Sequence, residues 1–252
     1  YAIYEIIGYT STTSVTALVY FPPWLIYTAT KYWHKPAWST TQGFPRAVTL
    51  HQGRLFFGGN SVKPTTFWGS AVDGYQDFRV AAEDDAAVSY TLNSDEASAV
   101  EWLVSQDTLV IGTASGEWVF GTKTGESVEK LRRNTSYGSL PVQARTIADA
   151  LVFIQRSGRK VREFAWSFER DGYNSVDLSM LAEHVGDSLF LQMAIQRNAD
   201  PIVWVVTAAG ELLSLTYERS QKVAAWSRHT TDGLFESVAV IPGSGEDDQI
   251  WV

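Results

Sequence analysis

The chain contains no cysteine. That absence excludes a disulfide framework, a thiolate zinc site and a cysteine nucleophile, and it frees stability from the redox compartment. Histidine is nearly as scarce: His34, His51, His184 and His229 are the whole set. No two of them stand at a metal-ligand spacing and no His-Glu-x-x-His occurs, so each reads as a structural or surface residue. Positive charge is also in short supply. With 20 Lys+Arg against 28 Asp+Glu, the formal net charge is -8 and the sequence pI is near 5.0. This argues against a broadly basic surface for nucleic acid. The best apolar run, Ala17–Tyr27, is interrupted by Pro22-Pro23 and is too short to span a membrane. No membrane insertion is expected.

Motifs of catalysis are missing as well. No Gly-x-Ser-x-Gly elbow exists; in Gly112-Thr-Ala-Ser115-Gly116 the serine falls one place late, inside a strand turn. Gly121-Thr-Lys-Thr-Gly125 lacks the Gly-Lys-Ser/Thr of a phosphate loop, and Gly243-Ser-Gly245 is followed by acids that would repel phosphate. Acidic clusters stand at Glu83-Asp84-Asp85, Asp95-Glu96 and Glu246-Asp247-Asp248. Paired carboxylates can hydrolyse glycosides, but adjacent acids in one loop point in different directions, and a solvated loop is the simpler reading. The alternating Asp/Asn pattern of a calcium loop is absent. Basic groups gather at Lys130–Arg133 and Arg156–Arg162. In the second run Arg159, Val161 and Glu163 would share one strand face, and Lys160, Arg162 and Phe164 the other. Such a row could touch phosphates, but cross-strand pairing with Asp and Glu suits it better. Asn134-Thr-Ser136 is a formal glycosylation sequon with no secretory context. The residues therefore assign no catalytic, cofactor-binding or metal site, and no cofactor.

What is present is a repeat. Ala47–Leu50, a turn at Gln52-Gly53 and Arg54–Phe57 form the first copy. Trp102–Val104, Gln106-Asp107 and Leu109–Ile111 form the second. A turn at Asp149 precedes Leu151–Ile154, a turn at Asp200-Pro201 precedes Ile202–Val206, and Val238–Ile241 is followed by Ile250–Val252. The markers Gly53, Asp107, Asp149, Asp200 and Asp248 step by 54, 42, 51 and 48 residues. A period of roughly 40–50 residues built from strands is the signature of propeller blades. Three copies add a third strand after a small turn: Ser115-Gly116, Ser157-Gly158 and Ala209-Gly210. Glycine there predicts positive φ. Phe67-Trp68-Gly69 supplies an outer strand for the first copy, and Ala37-Trp38-Ser39 is echoed by Ala225-Trp226-Ser227.

The expected fold is all-β: a β-propeller-like repeat of four-stranded blades over 36–252, with four to five blades in view. Residues 1–35 are the end of a small β module. Tyr1–Val19 reads as two strands joined near Thr10–Thr13, Ile26–Trp33 as another, and Lys35-Pro36 as the boundary. Ser94-Asp95-Glu96 is placed as the cap of one helical turn, and Leu178–Val185, with Ser179 as cap, as the best helix candidate. Strands with continuous apolar runs, such as Ile202–Val206, fit blades covered on both faces. The chain opens without Met and closes on Ile250-Trp251-Val252 in a strand pattern, which reads as a piece of a longer protein.

Several strings together carry a resemblance. They are Ala37-Trp-Ser39; Phe44-Pro-Arg-Ala-Val-Thr-Leu-His-Gln-Gly-Arg-Leu-Phe-Phe-Gly-Gly59; Phe67-Trp-Gly-Ser70; Ile111-Gly-Thr-Ala-Ser-Gly-Glu-Trp118; Gln155-Arg-Ser-Gly-Arg-Lys-Val-Arg-Glu-Phe164; and Ala225-Trp-Ser-Arg-His229 with Glu236-Ser-Val-Ala-Val-Ile-Pro242. From about Tyr9 onward the chain resembles a family of phage and prophage proteins, similar to the tail tubular (nozzle or hub) proteins of short-tailed phages, the podoviruses. The resemblance implies a virion structural protein, assembled in the host cytoplasm and located in the tail. It implies a six-fold homo-oligomeric ring below the portal and adaptor, with fibres or spikes attached around it and genomic DNA passing through without specific binding. It carries no catalytic residues. A net negative wall suits passing DNA, since phosphate contacts would trap it. Under this reading the turn loops Ser61–Thr66 and Lys123–Val128 are the expected contacts. The alternative is a carbohydrate-binding or carbohydrate-active propeller that touches the host envelope, for which Trp and acids clustered in one mouth would be the mark. A nucleic-acid contact along Arg156–Arg162 is the third reading.

Overall fold

The computed structural model describes residues 2–22, 35–96, 98–122, 129–243, 245 and 247–252. The predicted strand over Ile26–Trp33, His34 and the loop Lys123–Val128 lie outside the described residues. The chain separates into two compact units, Tyr1–Ala37 and Trp38–Val252.

The first unit holds one antiparallel hairpin, β1 (Ile3–Ser11) and β2 (Ser14–Phe21). Its turn is closed by the Thr13 N–H donating to Ser11 Oγ at 3.2 Å. Large apolar side chains of this hairpin, among them Ile6, Ile7, Tyr9 and Tyr20, are exposed. A lone hairpin of this kind is at best marginally stable in water.

The second unit is a row of antiparallel meanders in which neighbours in sequence are neighbours in the sheet. Sheet 1 is β3 (Ala47–His51), β4 (Arg54–Gly58), β5 (Thr66–Gly69) and β6 (Val88–Thr91). Sheet 2 is β7 (Val100–Ser105), β8 (Leu109–Thr113), β9 (Gly116–Gly121) and β10 (Lys130–Thr135). Sheet 3 is β11 (Arg145–Ile147), β12 (Ala150–Ile154), β13 (Val161–Ser167) and β14 (Gly172–Asp177). Sheet 4 is β15 (Phe190–Gln196), β16 (Ile202–Thr207), β17 (Leu212–Glu218) and β18 (Val223–His229). A two-stranded fifth sheet is β19 (Ala239–Pro242) and β20 (Asp248–Trp251). First strands adjoin first strands, β3 with β7, β11 with β15 and β15 with β19. This is the blade arrangement of a propeller, and the row does not close on itself.

Each predicted hairpin is the first hairpin of a sheet. In sheet 1, Gln52 (φ 47) and Gly53 (φ 72) form the two-residue turn with both φ positive that matches strand twist. Burial explains the apolar runs. In β12, Leu151 and Phe153 enter the core between sheets 2 and 3, while Ala150, Val152 and Ile154 enter the core between sheets 3 and 4. β8 and β16 alternate in the same way, Ile111 against Val110 and Val205 against Trp204. Period-2 alternation is still present in these strands, but both of its faces are dry.

Four expectations need correction. Gly158 and Gly210 have φ of 71 and 77, but Gly116 does not have positive φ. It is required for space: a Cβ there would lie 2.4 Å from the Thr135 carbonyl oxygen. Leu178–Val185 is no α-helix. Only Glu183–Gly186 makes a 3-10 turn, and Ser179 Oγ accepts the Val161 N–H at 2.9 Å instead of capping a helix. Ser94 Oγ accepts the Glu96 N–H at 3.3 Å in a bend with no helical turn. Among the described residues there is no α-helix at all. Finally, the Trp echo does not mark equivalent places. Trp226 sits in β18, whereas Trp38 lies outside any strand, edge-on to Phe57, Trp68 and Phe78 at 4.8–5.5 Å.

Candidate functional site

Consecutive sheets pack through side chains, without a hydrogen-bonded backbone ladder, and their first strands are joined by polar staples. His51 Nδ1 and Ser105 Oγ stand 2.8 Å apart across β3 and β7, and burial lowers the imidazole's proton affinity, which favours the neutral ring. Arg46 pairs with Glu101 at 3.2 Å. The Gln143 amide donates to the Leu103 carbonyl at 2.9 Å. The Gln192 amide donates to the Val238 carbonyl at 3.0 Å and accepts the Val238 N–H at 3.1 Å, a two-point clamp from β15 to the start of the fifth sheet.

Along the first strands of sheets 3, 4 and 5 runs a cleft of about 540 Å³. That volume is in the range of ligand sites. Gln143 and Gln192 lie in its wall, Val142, Met193 and Val240 give it an aliphatic floor, and Arg145 and Arg197 supply two guanidinium groups. Among the described residues no acidic or aromatic side chain lines it. Among the described residues neither guanidinium makes a hydrogen bond to a carboxylate. The Asp248 carboxylate accepts the backbone N–H groups of Arg197 (2.8 Å) and Asn198 (3.1 Å) and is held below the ordinary carboxylate range mainly by those bonds, with the Arg197 charge acting in the same direction.

Two ionic clusters lie deeper, one on each side of β13. Arg162 faces sheet 2 and Glu163 faces sheet 4, as the strand alternation predicted. Glu117, fully buried on β9, accepts hydrogen bonds from Thr135 Oγ1 and from Ser139 Oγ at 2.9 Å. Burial raises its carboxyl above the usual range, while those hydroxyls, the Tyr137 backbone N–H and the Arg162 charge act in the opposite direction. Arg162 donates to Gln155 Oε1 at 2.8 Å and stacks over the Tyr137 ring at 3.4 Å. On the other side Arg219 Nε pairs with Glu163 at 2.9 Å and its terminal nitrogen with Asp149. The Tyr217 hydroxyl is buried beside Glu163 without a well-formed hydrogen bond, and burial followed by Glu163 pushes its pKa up. Arg162 and Glu163 are each less than a tenth exposed, so Arg162 drops out of the basic run as a surface group, while Arg156 and Arg159 stay exposed. Lys160 pairs with Asp177 at 2.7 Å.

The remaining sequence candidates are scattered. His229 Nε2 bonds Ser214 Oγ at 2.8 Å, and the His184 carbonyl accepts from Arg228. No group of three His, Cys, Asp or Glu is placed to hold a metal among the described residues. The loop Glu83–Asp85 is gripped through its backbone, with Arg54 donating to the carbonyls of Asp84 (2.8 Å) and Ala86 (2.6 Å). In Gly112–Gly116 the Thr113 hydroxyl donates to the Gly116 carbonyl and accepts its N–H, and Ser115 bonds Ser98, so the string closes a hairpin. In Ser61–Thr66 the turn is organised by Asn60 Oδ1, which accepts from Val62 and Lys63, and Val62 is exposed.

Sequence reasoning missed the cleft and the buried acid. A lone Glu inside Gly116–Gly121, a strand otherwise built of small and large apolar residues, was the available signal for Glu117. It also missed a repeated lock. Gly158 accepts the Phe190 N–H and Gly210 the Phe235 N–H, with Leu189 and Leu234 lying where a glycine Cβ would stand. The paired Leu-Phe dipeptides were the legible sign.

No family model matches the chain, and no curated protein does. Among solved structures a luciferin-regenerating enzyme is similar at 11% identity over 77% of each chain, with a TM-score of 0.31. A score so low carries no argument.

Proposed function

We propose that the chain is a structural, non-enzymatic part of a short phage tail. In this reading it belongs to a ring between the portal-adaptor region and the fibres or spikes, and its propeller-like unit is a rigid platform for neighbours. The strings that resemble phage tail proteins, Phe44–Gly59 and Gln155–Phe164 among them, support the tail reading. The observation that carries an assembly role is exposed apolar surface in separate places. Val48 and Leu50 project from β3, Phe168 (94% exposed) caps the β13–β14 turn, Leu181 (97%) sits on the β14–β15 crossover, and the β1–β2 hairpin is apolar on both sides. Single exposed apolar residues are ordinary, but the run of them along the β1–β2 hairpin, Ile3, Tyr4, Ile6, Ile7, Tyr9, Val15, Leu18, Val19 and Tyr20, is a contiguous apolar surface of the kind that meets other protein. The four sheets share cores with their neighbours, so such a platform resists deformation.

Electron microscopy of purified virions, with a tag on this segment, tests the reading. Density in a symmetric ring at the tail, with subunit contacts above about 1,000 Å², is the expected result. A monomer absent from particles would overturn it.

A further inference from the structure

We propose that the cleft along the first strands of sheets 3, 4 and 5 is a binding site for an extended peptide segment of a partner protein, one that carries one or two carboxylates between aliphatic side chains. The inference stands on the cleft's own residues and holds whether or not the protein is a tail component.

Three observations fix the ligand's chemistry. The first is charge. Arg145 and Arg197 line one cleft of about 540 Å³, and neither guanidinium is spent on a carboxylate hydrogen bond among the described residues. A planar fork of donors is matched by a carboxylate or a phosphate. Asp248 feels the Arg197 charge but gives its Oδ2 to two backbone N–H groups and makes no ion pair with that guanidinium among the described residues, so the Arg197 donors stay open. The second is the floor. Val142, Met193 and Val240 are aliphatic, and among the described residues the lining holds no Trp, Tyr or Phe. A nucleic-acid base needs an aromatic or planar platform to stack on, and an aliphatic floor receives Leu- or Val-like side chains instead. The third is the whole molecule. A net charge of -8 repels a polyanion along its length, whereas one or two acids set directly on guanidinium groups are attracted at short range. Together these favour an acidic-aliphatic peptide over a phosphate-rich polymer.

The site is pre-formed. Gln143 and Gln192 stand in its wall with their amides committed, Gln143 to Leu103 of sheet 2 and Gln192 to Val238, so these two wall side chains are already fixed and lose little freedom on binding.

The test is a fluorescence-anisotropy titration of the whole chain with short labelled peptides in which Glu or Asp alternates with Leu and Val. The Gln/Asn counterparts, heparin and a single-stranded DNA oligomer are run beside them. The expected result is saturable binding of the acidic peptides, at least tenfold weaker for the amide versions. Arg145→Ala and Arg197→Ala should each weaken binding about tenfold, Arg145→Lys less, and Arg170→Ala, at a turn outside the cleft, not at all. Melting curves within a few degrees of the parent confirm that each variant is folded. Failure of every acidic peptide, equal binding of the amide peptides, or indifference to both arginine substitutions would overturn the proposal. Tighter binding of heparin or DNA that is lost in the same variants would overturn it in favour of a polyanion.

Discussion

Gly112→Ala should destabilise the second unit through a single contact. Gly112 is on β8, directly opposite Trp102 on β7. The Trp102 indole is fully buried between sheets 2 and 3, 5.8 Å from the Phe153 ring, and it covers the bare Cα. A Cβ at residue 112 would lie 2.0 Å from indole Cε2, 2.3 Å from Cζ2 and 2.5 Å from Cδ2. Neither partner is a flexible tail: one is fixed to the backbone and the other is a rigid ring in a close-packed core. The cost therefore falls near the upper end of overpacking, about 3 kcal/mol. Alanine recovers about 0.5–1 kcal/mol of the entropy glycine loses in a strand, leaving about 2–2.5 kcal/mol. For a chain of this size that lowers Tm by roughly 5–10 °C. Far-UV circular dichroism melts measure it. Trp102→Leu alone should cost about 3 kcal/mol or more, and the double variant should be better than additive by at least about 1 kcal/mol, because the alanine methyl enters space the indole has left. A Gly112→Ala melt within about 1 °C of the parent, or strict additivity in the double variant, would refute the packing argument.

Gln192→Ala leaves the Val238 N–H without its acceptor and the Val238 carbonyl without its donor. About 1–3 kcal/mol should be lost, read as a lower urea midpoint at unchanged m-value; an unchanged midpoint would show that the clamp is redundant. Glu117 has a raised folded pKa, so its favourable contribution is complete below the unfolded value of 4.5 and is lost as pH rises through the folded value. Glu117→Gln removes that titration, and the difference in Tm between parent and variant should shift against the parent as pH climbs from 4.5 to neutrality. A difference that stays flat with pH would mean the carboxyl titrates normally.

The blade pattern was legible because it rests on local chemistry. Gln52-Gly53 and Asp149 announce turns, and runs such as Ile202–Val206 announce strands with two dry faces. The helix placed at Leu178–Val185 failed because Ser179 found a better use across the chain, bonding the Val161 N–H; a cap is visible in sequence, its competitor is not. Gly116 was assigned to the right turn for the wrong reason, since the Thr135 carbonyl that crowds it belongs to β10. The pairing of the Glu117 cluster with Arg162 and the meeting of Arg145 and Arg197 in one cleft both arise between sheets. They depend on which strands become neighbours in space, and no spacing in the sequence encodes that directly.

The alternation inside β12 also bears on how such a chain can change over time. Phe153 serves one neighbouring sheet and Val152 the other. Inserting one residue into that strand would exchange the two sets, so two interfaces would be miswired by one event. Substitution can be absorbed there one side chain at a time, but insertion and deletion cannot. Length variation should therefore be tolerated in the connections between strands, where the spacing of the repeat markers already differs from one sheet to the next.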